Sequence, residues 1–368
     1  MVSRPRVAIA HDYVTQRGGA ERVVLAILRA FPDAKLHTTF YNPETTYPEF
    51  GDYDIRVSPA NRAAPLRVDP RRALPILAGL SSQMKIDADV VIASSSGWAH
   101  AFPTTGARIV YCHSPARWLY ESADYLGDAP RLSPKRLALG ALKRPLLAWD
   151  GSAAAKVDTY FANARVIQDR ISRAYGRESE LLGPPTTFAT EGPVEGVGEL
   201  ADWGDKGFTL LVSRLMPYKN VDLAIEAVRG TDRRLVIVGF GPERERLRTL
   251  LPDNARIVSD LSEAQLRWCY QRAHLLLAPS REDFGLTPLE ANRFGVPTVA
   301  LRAGGYLDTV AEGVSGEYFD DVDPDLIRAA LVRADGREWQ RSAVEANAAR
   351  FSEAAFAQRL RDEVERLA

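Results

Sequence analysis

The chain has 368 residues, enough for two domains of ordinary size, each with its own core. Its 47 Lys and Arg against 48 Asp and Glu exclude the one-signed field of a nucleic-acid binder. No run reaches the about 18 apolar residues of a membrane helix, and the N-terminus lacks the apolar core of a signal peptide. With two cysteines, Cys112 and Cys269, in neither zinc nor disulfide spacing, a cytoplasmic location is expected.

Apolar runs alternate with helical periodicity from end to end, which predicts parallel sheets built from βαβ units, an α/β fold. A strand over residues 6–10 ends at His11 and Asp12. It is followed by Gly18-Gly19-Ala20-Glu21, which opens a helix whose Val23, Val24, Ile27, Leu28 and Phe31 share one face. Two glycines there allow a diphosphate or an acceptor to approach the backbone closely. Asp87-Ala88-Asp89 has the spacing of a metal-binding pair. It precedes the strand at 90–93, however, on the edge opposite to the ligand edge of such sheets. A strand at 108–110 is followed by Tyr111-Cys112-His113-Ser114-Pro115. Adjacent side chains in extended chain point to opposite faces, so Cys112 and His113 do not form a nucleophilic dyad.

Residues 131–149 interleave Lys135, Arg136, Lys143 and Arg144 with Leu139, Leu142, Leu146 and Trp149, a basic amphipathic stretch suited either to solvent or to an anionic bilayer. After a strand at 159–163, the Gly/Pro-rich residues 183–207 mark the best domain break, with a hinge at Pro184 and Pro185. The expected division is 1–184 with 354–368 returning to it, and 185–353.

The second half carries most of the chemistry. The strand Phe208–Val212 leads into Ser213-Arg214-Leu215-Met216-Pro217-Tyr218-Lys219-Asn220, where Arg214 and Lys219 flank a turn stiffened by Pro217 and suit a diphosphate. The strand Leu235–Val238 leads into Gly239-Phe240-Gly241-Pro242-Glu243-Arg244. Arg244 occupies the place of the third glycine of a dinucleotide fingerprint, so the loop is read as lining a base pocket. A buried strand at 275–279 precedes Arg281-Glu282-Asp283-Phe284-Gly285-Leu286-Thr287-Pro288-Leu289-Glu290. Thr287 to Glu290 reads as a capping box with Pro at the first helical position, setting Glu282 at the carboxyl edge of the sheet. Asp321-Val322-Asp323 reads as a capping run before a helix. His11, His37, His100 and His274 show no metal-ligand spacing, and no metal is expected.

Together these segments resemble the retaining glycosyltransferases of family 4. Glu282 and Glu290 match the Glu-x7-Glu element, Arg214 and Lys219 the Arg-x4-Lys element, Gly18-Gly19 the N-terminal glycine turn, His113 the active-site histidine loop, and Gly304-Gly305 the C-terminal signature. The resemblance implies a GT-B fold: two doubly wound Rossmann-like domains facing a cleft, with a last helix crossing back to the first. It implies no cofactor beyond the donor substrate, a nucleotide-diphosphate sugar. Arg214 and Lys219 would hold the phosphates, Glu282 the sugar hydroxyls, Glu290 the ribose, and His113 the transferred sugar. Gly18, Gly19, Gly239, Gly241, Phe284, Gly285, Leu286 and Thr287 would line the donor site. His11-Asp12-Tyr13, the 111–118 segment and Asp158-Thr159-Tyr160-Phe161 are similar to mannosyltransferases that build polyprenyl-linked bacterial polysaccharides. That implies GDP-mannose as donor, a lipid-linked glycan as acceptor, and peripheral contact with the inner membrane face through 131–149. The alternatives are a soluble natural-product acceptor with another nucleotide sugar, and a non-catalytic sugar-nucleotide-binding subunit.

Overall fold

The computed structural model describes residues 5–121 and 134–368, with the backbone alone at 71, 75, 134–139, 141 and 204–206. The chain forms two compact units, one of Met1–Pro185 with Glu353–Ala368 and one of Thr186–Ser352.

The first unit is built on a seven-stranded sheet of β1 (Val7–His11), β2 (Lys35–Thr38), β3 (Ile55–Val57), β4 (Val90–Ser95), β5 (Ala107–Cys112), β6 (Thr159–Ala162) and β7 (Glu180–Leu181), in the order β3-β2-β1-β4-β5-β6-β7. All pairings are parallel. All six residues of β4 are buried, as expected of a central strand covered by helices on both faces. Helix α1 (Gly19–Ala30) buries Val23, Val24, Ile27 and Leu28 against it. The β5 strand runs through Tyr111 and Cys112, which sequence patterning had left in the following loop, and ends just before His113.

The terminal helix Glu353–Leu367 belongs to this unit. Its Phe356, Leu360 and Val364 enter the core beside Ile9, Tyr111 and Phe161. Glu363 is buried on the same helix. It accepts a 2.5 Å hydrogen bond from Thr159 Oγ1 and pairs with Arg366 at 2.5 Å and Arg359 at 3.3 Å. The Arg366 hydrogen bond leads the effects that pull its carboxyl down to about 2.

The second unit repeats the plan with β8 (Phe208–Val212), β9 (Leu235–Val238), β10 (Ala255–Val258), β11 (Ala273–Ala278), β12 (Thr298–Leu301) and β13 (Gly316–Phe319), ordered β10-β9-β8-β11-β12-β13 and again parallel. One face of the sheet packs on the helices Val221–Val228 and Pro324–Asp335 through Ile225, Val228, Ile327 and Leu331. The other buries Phe188, Trp203, Tyr270 and Phe294. In both sheets the order reverses between the first strand and the fourth, β1 beside β4 and β8 beside β11. This opens the crevice at the carboxyl ends where open α/β sheets bind ligands.

Candidate functional site

In the second unit that crevice is assembled from the turns after β8, β9 and β11. The 3-10 turn Pro217–Lys219 ends on Asn220, whose φ of 54° lies in the left-handed region that asparagine tolerates. Asn220 Nδ2 donates to the Pro279 carbonyl at 3.0 Å and ties the β8 turn to the end of β11. Lys219 Nζ is thereby brought onto Glu282 Oε1, which also accepts from Ser280 Oγ at 2.6 Å. Only 11% of the lysine side chain and 26% of the glutamate side chain are exposed, so the pair is largely desolvated. The Gly305 amide donates to the Glu282 carbonyl at 2.9 Å and supports that turn from the following loop. Arg214 is exposed, and no carboxylate among the described residues is within ion-pair reach of it. Lys219 is thus engaged with a carboxylate, whereas Arg214 is not.

Gly239 and Gly241 are required by packing. A Cβ on either would collide with the backbone of Ser213 or Leu215. Their absence lets the loop after β9 lie on the loop after β8, with Leu215 N donating to Phe240 O at 2.8 Å. Phe240 between them is 63% exposed.

The expected capping box is not formed. The helix spans Leu286–Asn292, with Gly285 at its N-cap and no side-chain cap. Gly285 has φ 85°, and a Cβ there would strike the Tyr306 ring; with Gly285 as N-cap, Thr287 is the second helical residue and does not cap the helix. Pro288 is the third helical residue, and Glu290 instead accepts from the hydroxyl of buried Tyr270 at 2.8 Å. The Phe284 side chain is turned into the core, edge-on to Phe351 at 5.7 Å, while Leu286 and Thr287 are partly buried.

Gly18, Gly19 and His113 lie in the first unit, at the carboxyl edge of its sheet. His113 Nε2 lies 2.8 Å from Ser94 Oγ, and His11 Nδ1 lies 2.8 Å from the Ser94 carbonyl. Burial, aided by the neighbouring His11, pushes the His113 imidazole down to about 3, so it is neutral in the physiological range. Gly18 is packed against the carboxylate of buried Glu21, whose side chain returns to the start of α1. Desolvation raises the Glu21 carboxyl. Asp12 is committed to scaffolding: its carboxylate accepts from the amides of Ser96 (2.6 Å), Trp98 (2.8 Å) and Ala99 (2.6 Å) and fixes the turn after β4.

The other segments singled out in the sequence fall elsewhere. Asp87 and Asp89 pair with Arg6 at 3.4 and 3.0 Å, and Asp323 caps the helix Pro324–Asp335. Trp118 is a buried core residue, and Tyr120 donates to buried Asp150 at 2.8 Å. Within the 131–149 stretch, residues 131–133 and the side chains of 134–139 and 141 lie outside the described residues, whereas Leu146 is buried. Among the described residues no group of three His, Cys, Asp or Glu could hold a metal ion. No described helix is long and apolar enough to cross a membrane.

Sequence reasoning did not single out Ser280 or Asn220 as site residues. Asn directly after a Pro-containing turn is the signal for a left-handed residue, and a hydroxyl two positions before a carboxylate is the signal for Ser280.

Residues 200–350 match the family model described as "Glycosyl transferases group 1", a stretch that contains Arg214, Lys219, Gly239, Gly241, Glu282 and Glu290. A GDP-mannose-dependent alpha-(1-6)-phosphatidylinositol monomannoside mannosyltransferase of Mycolicibacterium smegmatis is 31% identical over 166 residues, 37% of this chain and 44% of that protein. A GDP-mannose-dependent alpha-mannosyltransferase of Corynebacterium glutamicum is 37% identical over 121 residues, 33% of this chain and 29% of that protein. The chain thus spans less than half the length of these curated relatives. Among solved structures, Anabaena Alr3699/HepE in complex with UDP superposes with a TM-score of 0.70 at 16% identity, over 98% of this chain and 100% of that one. The sucrose-phosphate synthase of Thermosynechococcus elongatus gives 0.70 at 16% identity, over 98% and 99%. These likenesses establish the fold as GT-B, two Rossmann-like domains of the α/β class.

Proposed function

We propose that the protein is a retaining, metal-independent glycosyltransferase that moves a hexose from a nucleotide-diphosphate sugar to a hydroxyl of a lipid-linked glycan. Mannose from GDP-mannose is the preferred donor. The observation that carries the reading is the pairing of Lys219 with Glu282 beside an unpaired Arg214 at the crevice of the second sheet. A diphosphate needs cations at its oxygens, and its sugar needs a hydrogen-bond acceptor within a few ångströms. Lys219, Arg214 and Glu282 supply both. Support for the donor comes from the mannosyltransferase relatives, whose names specify GDP-mannose.

In the proposed reaction the bond between the anomeric carbon and the diphosphate oxygen breaks, and the acceptor oxygen bonds to that carbon on the face the diphosphate leaves. The acceptor proton passes to the departing phosphate oxygen, so no strong protein base is needed. Arg214 and Lys219 stabilise charge as it accumulates on the leaving group, where fixed cations act most strongly. Glu282 orients the sugar hydroxyls and Glu290, anchored by Tyr270, the ribose. Phe240 offers a stacking face to the base. Burial keeps His113 neutral, so in the first unit it acts as a hydrogen-bonding group rather than as an acid.

The test is a thermal-shift panel of GDP, UDP, ADP, GDP-mannose and UDP-glucose with chelator present, followed by product analysis with the best binder. GDP-mannose should give the largest rise, growing with concentration as mass action requires. Absence of stabilisation by any nucleotide sugar at millimolar concentration, or an absolute need for a divalent ion, overturns the reading. A larger shift and turnover with UDP-glucose overturns only the donor.

A further inference from the structure

In the second unit one buried side chain lies behind the supports of both acidic groups of the crevice. Tyr306 opens the short helix Tyr306–Thr309 directly after Gly304-Gly305 and is 2% exposed. Its hydroxyl has one partner among the described residues, Ser280 Oγ at 3.3 Å. Ser280 is buried as well, and its single proton is committed to Glu282 Oε1 at 2.6 Å, so the phenol donates and the serine relays. Burial, reinforced by the charge of Glu282, pushes the Tyr306 phenol up and keeps its proton in place across the physiological range. The bond from Lys219 also falls on Oε1. Glu282 Oε2 therefore has no hydrogen-bond partner among the described residues and is left for a ligand. The ring of the same tyrosine lies against Gly285, the N-cap of the helix Leu286–Asn292 that carries Glu290, so closely that a Cβ at Gly285 would strike it. Tyr306 is itself held from behind: its carbonyl accepts from the Tyr318 hydroxyl at 2.8 Å, and both rings belong to one buried cluster with Ala278, Ala300 and Val310.

A phenylalanine would fill that apolar cluster equally well. The phenol adds a polar group that is costly to bury unless it is hydrogen-bonded, and its one bond leads outward to the crevice carboxylate. We propose that Tyr306 is a positioning residue for the donor: through Ser280 it fixes Glu282 and leaves Oε2 to the hexose, and through its ring against Gly285 it sets the start of the helix that carries Glu290. The proposal rests on the reading of the crevice as a nucleotide-sugar site. A carboxylate on a flexible side chain has to be held in one rotamer before it can accept from a sugar hydroxyl in the transition state, and a small misplacement of such a group lowers the rate. Free GDP has no hexose for Glu282 to meet. The hydroxyl relay should therefore count in turnover and not in nucleotide affinity, whereas the ring against Gly285 should count in both.

The test compares Tyr306→Phe, Ser280→Ala, the double variant and Tyr306→Leu with wild type in the full chain, by initial rates with GDP-mannose and by calorimetric titration of GDP. Tyr306→Phe should lower kcat by about 3- to 10-fold and Ser280→Ala by about 10- to 100-fold, each with GDP affinity unchanged. The double variant should be no slower than Ser280→Ala, because the two hydroxyls act in one chain. Tyr306→Leu, which also takes the ring from Gly285, should in addition weaken GDP binding by about fivefold or more. Wild-type kcat in Tyr306→Phe overturns the proposal. So does a loss of kcat in Tyr306→Phe matched by an equal loss of GDP affinity, or losses that multiply in the double variant, since a tyrosine that merely filled the core would act in that way. Unchanged GDP affinity in Tyr306→Leu overturns the part assigned to the ring. A wild-type protein that neither binds nor turns over GDP-mannose or UDP-glucose overturns the reading of the crevice and the proposal with it, whereas an active wild type with an equally active Tyr306→Phe overturns the proposal alone.

Discussion

Replacing Glu282 by glutamine separates two things that the wild-type crevice couples. Without a donor, Lys219 is held by Glu282 in a pair that is mostly shielded from water, so an entering phosphate has to draw the ammonium away from its carboxylate. Glutamine keeps the shape and still accepts from Ser280, but it replaces the ion pair with a bond from the Lys219 ammonium to a neutral oxygen, weaker by about 1 to 2 kcal/mol. The difference, about 1 to 2 kcal/mol, reappears as tighter binding of a nucleoside diphosphate by about 5- to 30-fold. The same substitution weakens the acceptor that the proposed mechanism offers to the sugar hydroxyls, so turnover should fall by about 10- to 150-fold. Calorimetric titration of GDP and UDP into Glu282→Gln, alongside initial rates with the matching nucleotide sugars, measures both. Diphosphate affinity within twofold of wild type together with unchanged turnover would refute the reasoning. Weaker diphosphate binding would show instead that the carboxylate organises Lys219 for the phosphate rather than competing with it.

Arg214→Ala should weaken donor binding by about 10- to 150-fold with no change in thermal midpoint, because the guanidinium is exposed and unpaired; titration beside a melting curve checks both. His113 sets a pH dependence of stability. An unfolded histidine takes up a proton near pH 6.5 that the folded state refuses until about 3. Its contribution is whole above pH 6.5 and is lost as the pH falls, by about 2 kcal/mol at pH 5. Urea unfolding at pH 7 and pH 5 should show this loss in wild type and not in His113→Gln. The subtraction matters because the raised carboxyl of Glu21 acts in the opposite sense. Thr159→Val removes a 2.5 Å hydrogen bond to buried Glu363 and should cost about 1.5 to 3 kcal/mol in urea unfolding, with earlier proteolysis of the terminal helix.

Patterns set by neighbouring residues were legible in the sequence. Phe208–Val212 and Leu235–Val238 are strands over the expected ranges, because short Val/Leu/Ile runs with turn residues on either side leave little alternative in a sheet buried on both faces. What local pattern does not contain is a partner brought from far along the chain. Thr287-Pro288-Leu289-Glu290 has the letters of a capping box, yet the helix starts from Gly285, packed under Tyr306, and Tyr270 donates to the Glu290 carboxylate. Asp12 looks available at the end of β1, but the amides that occupy it come from 84 to 87 residues later. Phe284 sits among site residues in sequence and packs on Phe351 in space. In each case the partner lies far along the chain, and the local letters do not name it.

The two sheets show how little of the proposed chemistry belongs to the fold. Their first six strands run in the same order, with crevices at equivalent switch points. In the second unit the turns at the crevice deliver Arg214, Lys219 and a carboxylate, a set that suits a charged, polar ligand. In the first they deliver His113, a histidine kept neutral by burial, and Glu21, a glutamic acid whose ionisation burial opposes. A transferase of the proposed kind needs this asymmetry, with one site gripping the departing diphosphate and another receiving an uncharged alcohol without competing for that anion.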